Sequence, residues 1–303
     1  MRSRTVALAV RPVPRGSADG AFPSMSLFSA SHPMTVFRFA APRACAAFLS
    51  GAALLSAMSG AHADTAPDTA PDAAAEASPH TFSANVTLAS EYRYRGLMQT
   101  NRRPAIQGGF DYAHSSGFYI GNWNSSISWL DDSNPDVSAP IEMDFYAGFK
   151  NTVTIAGLEW NYDAGVLQYY YPGDYPAGFT SPNTTELYVG AGYGPVFLKY
   201  SQSMTNLFGF ADSRYSYYVD LSANVPLDFW GLTANAHVGY QGVKHVDNAS
   251  YTDWKLGLTK DLGKGFALAV AYIDTNARRS VYTNAPGRYI GRATAFASLT
   301  KTF

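Results

Sequence analysis

The side chains of this chain that could do chemistry recur at every second position. Glu91-x-Arg93-x-Arg95, Glu142-x-Asp144, Glu159 with Asp163, and Asp253-x-Lys255 each set ionisable groups two or four residues apart. In a β-strand that spacing puts them on one face. Asp111, Glu186, Lys199, Arg214, Asp220, His237 and Arg292 share this polar parity within their own alternating segments. Rings of charge around a common space set ion preference, so all of these residues are expected to line a lumen, with acids in excess. The alternative is that they pair with one another and fill it. Glu91, Arg93 and Arg95 could form a binding rung or an ion-pair ladder with acids on neighbouring strands. His237, with Ser201, Ser216 and Ser222 on inward parity, raises hydrolysis, but no serine motif accompanies it. Gly-rich phosphate loops and metal-ligand spacings are absent from the sequence, so no catalytic residue, metal or cofactor is expected.

The elements that must position these groups are strands. In Phe82–Tyr94 the even positions Phe82, Ala84, Val86, Leu88, Tyr92 and Tyr94 alternate with Ser83, Asn85, Thr87, Glu91 and Arg93. The same period-2 pattern runs through 142–150, 159–166, 214–225 and 232–241, and more weakly through 105–112, 186–193, 196–202, 253–260 and 266–272. Phe118–Trp129 changes parity, and a bulge near Gly121 would explain the shift. Tyr289–Phe303 alternates and closes on an aromatic, as the last strand of an outer-membrane barrel does. Lys301 breaks its outward row, but its stem can lie along apolar surface with the ammonium in the headgroups.

These segments predict an all-β fold, a transmembrane antiparallel up-and-down β-barrel of about 12 strands, each close to the ~9–11 residues that cross a bilayer at a tilt. Connections alternate short and long, and an even strand number returns both termini to one side. The expected external aromatic band is Tyr92, Tyr94, Tyr200, Tyr215, Tyr217, Tyr240, Trp254 and Tyr272. The expected periplasmic band is Phe82, Tyr112, Phe118, Phe149, Trp160, Tyr193, Phe266 and Phe303.

The rest of the sequence fits export. Met34–Ala63 has a basic start (Arg38, Arg43), an apolar run Ala46–Met58 and an Ala61-His62-Ala63 cleavage site, the parts of a signal peptide. Residues 1–33 are expected to be a non-native upstream extension, and the Ala-, Pro- and acid-rich residues 64–80 a disordered tail. Residues 81–303 form the expected barrel domain. The one cysteine, Cys45, lies in the signal, so the processed chain needs no disulfide. Net charge is −1 and only 15% of residues are charged, which leaves no basic block for nucleic acid.

Three segments carry a family likeness. They are Glu91-Tyr92-Arg93-Tyr94-Arg95-Gly96-Leu97-Met98-Gln99-Thr100, Pro104-Ala105-Ile106-Gln107-Gly108-Gly109-Phe110-Asp111-Tyr112 and Gly117-Phe118-Tyr119-Ile120-Gly121-Asn122-Trp123. With Glu142-x-Asp144, Tyr146-Ala147-Gly148, Tyr169-Tyr170-Tyr171-Pro172, Thr185-Glu186-Leu187-Tyr188, Tyr251-Thr252-Asp253-Trp254 and Ala271-Tyr272-Ile273-Asp274-Thr275-Asn276, they span nearly all of 81–303. The chain resembles the proteobacterial TorF-type porin family, a conserved family of unknown function, though Met98 stands where Ser or Thr is expected. The resemblance implies an outer-membrane channel and supplies no substrate and no catalytic residues.

The expected function is passive diffusion of small hydrophilic solutes or ions, with a mild preference for cations. The alternative is a closed structural or adhesive barrel. Expected partners are outer-membrane lipid and lipopolysaccharide, the barrel-assembly machinery through the strand ending in Phe303, and the small solutes themselves.

Overall fold

The computed structural model describes residues 78–303. The expected upstream extension, the signal peptide and residues 64–77 of the tail lie outside the described residues. Twelve strands close a barrel: β1 (His80–Ala89), β4 (Ala105–His114), β5 (Phe118–Ser126), β6 (Ile141–Ile155), β7 (Leu158–Tyr170), β8 (Thr184–Tyr193), β9 (Val196–Ser203), β10 (Tyr217–Pro226), β11 (Leu232–Gly242), β12 (Tyr251–Gly263), β13 (Phe266–Thr275) and β14 (Thr294–Thr302). Two short strands, β2 (Arg93–Tyr94) and β3 (Leu97–Met98), form a separate hairpin, and one short helix, α1 (Trp129–Ser133), follows β5. Every barrel strand pairs antiparallel with its neighbours, and β1 closes the ring on β14 with Leu88 opposite Leu299.

Closure satisfies the backbone groups that hydrocarbon cannot. The exterior is apolar: Leu88, Phe110, Leu187, Leu221, Leu256, Val270 and Leu299 all point outward and are exposed. Except for Val270, which lies between Ala269 and Ala271, each has a polar neighbour in the chain that faces the interior. An apolar outside around a polar inside is the architecture of a bacterial outer-membrane β-barrel. Aromatic rings stack in two bands on this surface. Tyr200, Tyr217 and Tyr240 follow one another at centroid distances of 6.0 and 6.1 Å near one rim, with Trp254 and Tyr272 5.4 Å apart. Phe82–Tyr112 at 5.1 Å and Trp160–Tyr193 at 5.4 Å mark the other. Lys301 lies on the outer face and donates to the Lys264 carbonyl at 2.6 Å, with its ammonium 5.1 Å from the Phe266 and Phe303 rings.

The tight connections use the left-handed region where the turns demand it. Ala156 (φ 52°) and Gly157 (φ 77°) make a two-residue turn, and Lys264 (φ 51°) and Gly265 (φ 76°) make another. The first of these is tight because β6 and β7 stay paired as far as Ile155 and Leu158.

Three strand boundaries differ from expectation. β1 stops at Ala89, not Tyr94, and residues 90–104 turn into the barrel. β5 keeps perfect register with both neighbours and has no bulge at Gly121; the parity change comes instead from Trp123 facing inward and from the strand ending at Ser126. Ile127 and Trp129 therefore belong to the following loop and α1. β10 begins at Tyr217, and Arg214 and Tyr215 precede it.

On the inner face, tyrosines lie flat over glycines. Tyr119 pairs with Gly148, Tyr146 with Gly121 and Tyr188 with Gly165 across adjacent strands. A Cβ at Gly148 would sit 2.5 Å from the Tyr119 hydroxyl and 2.6 Å from the Ala164 carbonyl oxygen. Gly148→Ala is thus expected to displace Tyr119 from the wall and destabilise the barrel by about 1–3 kcal/mol, the usual cost of overpacking. Urea unfolding of the protein in phospholipid vesicles measures this, and an unchanged midpoint would refute it.

Candidate functional site

The lumen brings together most of the charged residues expected there, and it does so through tyrosine. Tyr146 Oη donates to Asp111 at 2.6 Å, Tyr119 Oη to Asp163 at 2.6 Å, Tyr218 Oη to Asp253 at 2.9 Å and Tyr92 Oη to Glu142 at 2.7 Å. Tyr119 also bonds the Tyr188 hydroxyl. Each ring covers a glycine or a neighbouring wall position while its hydroxyl satisfies a carboxylate. A buried carboxylate otherwise carries a heavy desolvation cost.

Cations lie on β9 and β12 beside these acids, and on the hairpin. Lys199 sits 4.0 Å from the Tyr188 ring centroid, and Lys255 lies inward on β12. His237 is held between two acids, Nδ1 at 2.8 Å from Asp220 Oδ2 and Nε2 at 2.9 Å from Asp253 Oδ2. Ser222 bonds Asp220 and not the imidazole. Both ring nitrogens are thus engaged by carboxylates, which is the geometry of a clamp between strands and not of a base activating a serine.

The segment after β1 forms a plug. Arg95 (φ 45°) and Gly96 (φ 77°) make the two-residue turn between β2 and β3, with both residues in the left-handed region as a type I′ turn requires. Gly96 passes so close to β12 that a Cβ there would lie 2.6 Å from Asp253 Cβ. From this turn Arg95 reaches across the lumen. Its Nη2 meets Glu186 Oε2 at 2.7 Å, and its Nη1 meets Glu186 Oε1 at 3.0 Å and Gln241 Oε1 at 2.7 Å. The two charged side chains are 7% and 1% exposed. Burial works against the Arg95 charge, and Glu186 together with Tyr94 and Tyr169 more than offsets it and holds the guanidinium charged. The guanidinium also lies 4.2 Å from the Tyr218 ring centroid and 4.9 Å from that of Tyr94.

Arg93 anchors the base of the hairpin. It pairs with Glu91 at 3.1 Å and donates to the carbonyls of Gly96, Ile290 and Arg292. Glu91, Arg93 and Arg95 therefore do not share one face of a continuous strand. Glu91 and Arg93 pair locally, and Arg95 alone reaches across the lumen to an acid on a barrel strand, Glu186 on β8. Tyr92 and Tyr94, expected in the external aromatic band, are inside. Tyr92 is 2% exposed and packs edge-on to Trp123, and Tyr94 bonds the Tyr169 hydroxyl. The physical reason is that Tyr92 meets Glu142, Arg93 meets the Ile290 and Arg292 carbonyls, and Arg95 meets Glu186 once the chain leaves the wall at Ser90.

Glu142, Asp144 and Glu186 crowd beneath this plug, all nearly fully buried. Asp144 Oδ1 has no hydrogen-bond partner among the described residues. Three expected lumen residues stay outside the enclosed set. Glu159 is exposed at the end of the β6–β7 hairpin, and Arg214 and Arg292 are exposed in external loops. Arg214 and Arg292 lie in no strand, and Glu159 lies at the extreme end of β7. Lys150, with its ammonium 5.1 Å from the Tyr119 ring, and the inner tyrosines were missed. A signal was present: Tyr119-x-Gly121, Tyr146-x-Gly148 and Tyr188-x-Gly190 repeat on the parity of the carboxylates.

Several solved outer-membrane barrels are similar to this chain at very low identity. The KdgM porin matches with a TM-score of 0.46 and 9% identity, covering 73% of this chain and 98% of its own. Outer membrane phospholipase A from Escherichia coli (an N156A active-site mutant) matches with a TM-score of 0.39 and 14% identity, covering 73% and 89%. OccAB3 of Acinetobacter baumannii matches at 0.37 and 10%, covering 75% and 65%. No curated protein matches in sequence. Residues 73–303 match the model of a family described as a bacterial protein of unknown function (Gcw_chp), and the chain belongs to that family.

Proposed function

We propose that this barrel conducts small hydrophilic solutes or ions across the outer membrane by passive diffusion, without covalent chemistry. The observation that carries the reading is the enclosed charge itself. Asp111, Asp163, Lys199, Asp220, His237, Asp253 and Lys255 face one lumen inside a closed ring of strands. A barrel with no aqueous role could fill that space with apolar side chains at lower desolvation cost. The TorF-type resemblance supports the same reading. Single-channel recording of the purified protein in planar bilayers tests it: discrete conductance steps are expected, and a silent membrane carrying correctly folded protein would refute it.

Acids outnumber cations along the wall, so cations are expected to permeate better than anions. Asp111→Asn with Asp163→Asn is expected to lower the cation-to-anion permeability ratio at least twofold. Reversal potentials across a salt gradient measure this, and an unchanged ratio would remove these two residues from the conducting path.

The hairpin favours a second reading, a barrel closed at its external end under resting conditions. Apolar loop clusters around Leu130 and Tyr171, and around Leu207 and Val243, accompany it. Exterior contacts with lipid and lipopolysaccharide, and recognition of the last strand and Phe303 by the assembly machinery, belong to the same proposal. Phe303→Ala is expected to cut the amount of assembled barrel several-fold in cells. Heat-modifiable mobility on gels reads this out, and wild-type levels would contradict it.

A further inference from the structure

Over the hairpin, the external loops leave a cavity of about 290 Å³. Its floor is the hairpin, and its walls come from α1, the tops of β11 and β12, and the loops after β7, β9 and β13. The loops are tied in place by their own hydrogen bonds, so the space is built and not a gap between loose segments. Phe208 N donates to Thr184 Oγ1 at 2.9 Å, Leu207 N to Ser213 Oγ at 2.8 Å and Tyr282 Oη to the Ala249 carbonyl at 2.5 Å. Ala285 N donates to the Asp132 carbonyl at 3.1 Å, which links the last loop to α1 across the cavity.

The chemistry of the wall is narrow. Leu97, Leu130, Leu207, Phe208, Val281 and Ile290 supply hydrocarbon and ring surface. Two charged side chains reach the wall, and both are already engaged. Arg95 is taken by Glu186 and Gln241, and Asp132 accepts from Ser128 Oγ at 2.7 Å and Asn101 Nδ2 at 3.1 Å. An ionic ligand would have to break one of these arrangements, and a sugar would find few free partners for its hydroxyls. The volume lies at the lower edge of the ~300–1,000 Å³ of small-molecule pockets.

We infer that this cavity binds one neutral, mainly apolar organic molecule of one or two rings, taken up from the external water. Preformed apolar walls make such binding favourable without reordering the loops. The site does not depend on conduction, so it stands or fails apart from the channel reading.

The test is a titration of 1-naphthol, followed by its fluorescence, into the protein in detergent-free phospholipid nanodiscs, with empty nanodiscs subtracted. Saturable binding with one site per barrel is expected. Val281→Arg, which sets a charge on a half-buried part of the wall, is expected to weaken binding at least tenfold. Asp247→Asn, on another external loop, should leave it unchanged. Heat-modifiable mobility confirms that each variant is folded. Should Val281→Arg disturb assembly, Phe208→Ala gives the same reading through loss of a wall ring. Absence of saturable binding, wild-type affinity in folded Val281→Arg, or displacement of naphthol by millimolar glucose or benzoate would overturn the proposal. Displacement by decanol at lower concentration than by indole would overturn the ring-sized occupant in favour of an acyl chain.

Discussion

Replacing Arg95 with alanine is expected to release the hairpin and raise the open fraction of the barrel by two orders of magnitude or more. Arg95 gives Glu186 two charge-assisted bonds, at 2.7 and 3.0 Å, in a site from which water is excluded. Removing one partner of a buried pair costs about 3–5 kcal/mol, because the other charge stays buried and uncompensated. With every 1.4 kcal/mol worth a factor of ten, that cost outweighs a short hairpin whose two strands pair only Arg93 with Met98 and Tyr94 with Leu97. The hairpin is then expected to leave the lumen so that water reaches Glu186. Planar-bilayer recordings should show larger and longer openings than wild type, and limited trypsin digestion should cut at Arg93. Glu186→Gln keeps a hydrogen-bond acceptor but strands the Arg95 guanidinium without its counter-ion, so it should also loosen the hairpin, less than Arg95→Ala because one acceptor oxygen and the Gln241 contact remain. Wild-type conductance and protease resistance in Arg95→Ala would show that the hairpin is held by its packing alone.

The second large effect is expected on the outer wall. Leu221 points outward from β10, opposite Leu198 on β9 and Val238 on β11, and is 44% exposed. In water that exposure would be a liability; in a bilayer it is the favoured environment. Leu221→Arg should therefore destabilise the inserted barrel by about 2–4 kcal/mol, the cost of a cation near the midplane. Ser222→Arg puts the same group on the next residue, which faces the lumen beside Asp220, and should cost much less. Urea unfolding midpoints in phospholipid vesicles distinguish the two. Equal losses would mean that the two faces of β10 meet similar surroundings, and the membrane assignment of that wall would fail.

The barrel was legible in the sequence because its cause is local. Alternation in β1, β6, β7, β10 and β11 depends only on each strand having lipid on one side and polar lumen on the other, and the pleat imposes the period at every residue. Turn residues and connection lengths then order the strands, since antiparallel neighbours need only short links. The same logic located Asp111, Glu142, Asp144, Asp163, Glu186, Lys199, Asp220, His237, Asp253 and Lys255 on the inner face.

Where local pattern and tertiary partners disagreed, the partners decided. Phe82–Tyr94 alternates through Tyr94, yet the strand ends at Ala89, because Arg95, Arg93 and Tyr92 each gain a buried charge or hydroxyl contact only by folding inward. Phe118–Trp129 read as a phase shift because Trp123 resembles a lipid-facing anchor; inside, it packs on Tyr92, a residue supplied by the first external loop. The sequence alone thus determined the strand number, the two faces of the wall and the membrane as solvent, all of which follow from one-dimensional periodicity. Only the tertiary structure decided which tyrosine serves which carboxylate, that His237 is clamped between two acids, and that Arg95 crosses the lumen to Glu186 and Gln241. Those contacts join residues up to 146 positions apart, as Arg95 and Gln241 are, and no spacing along the chain records a distance across a lumen.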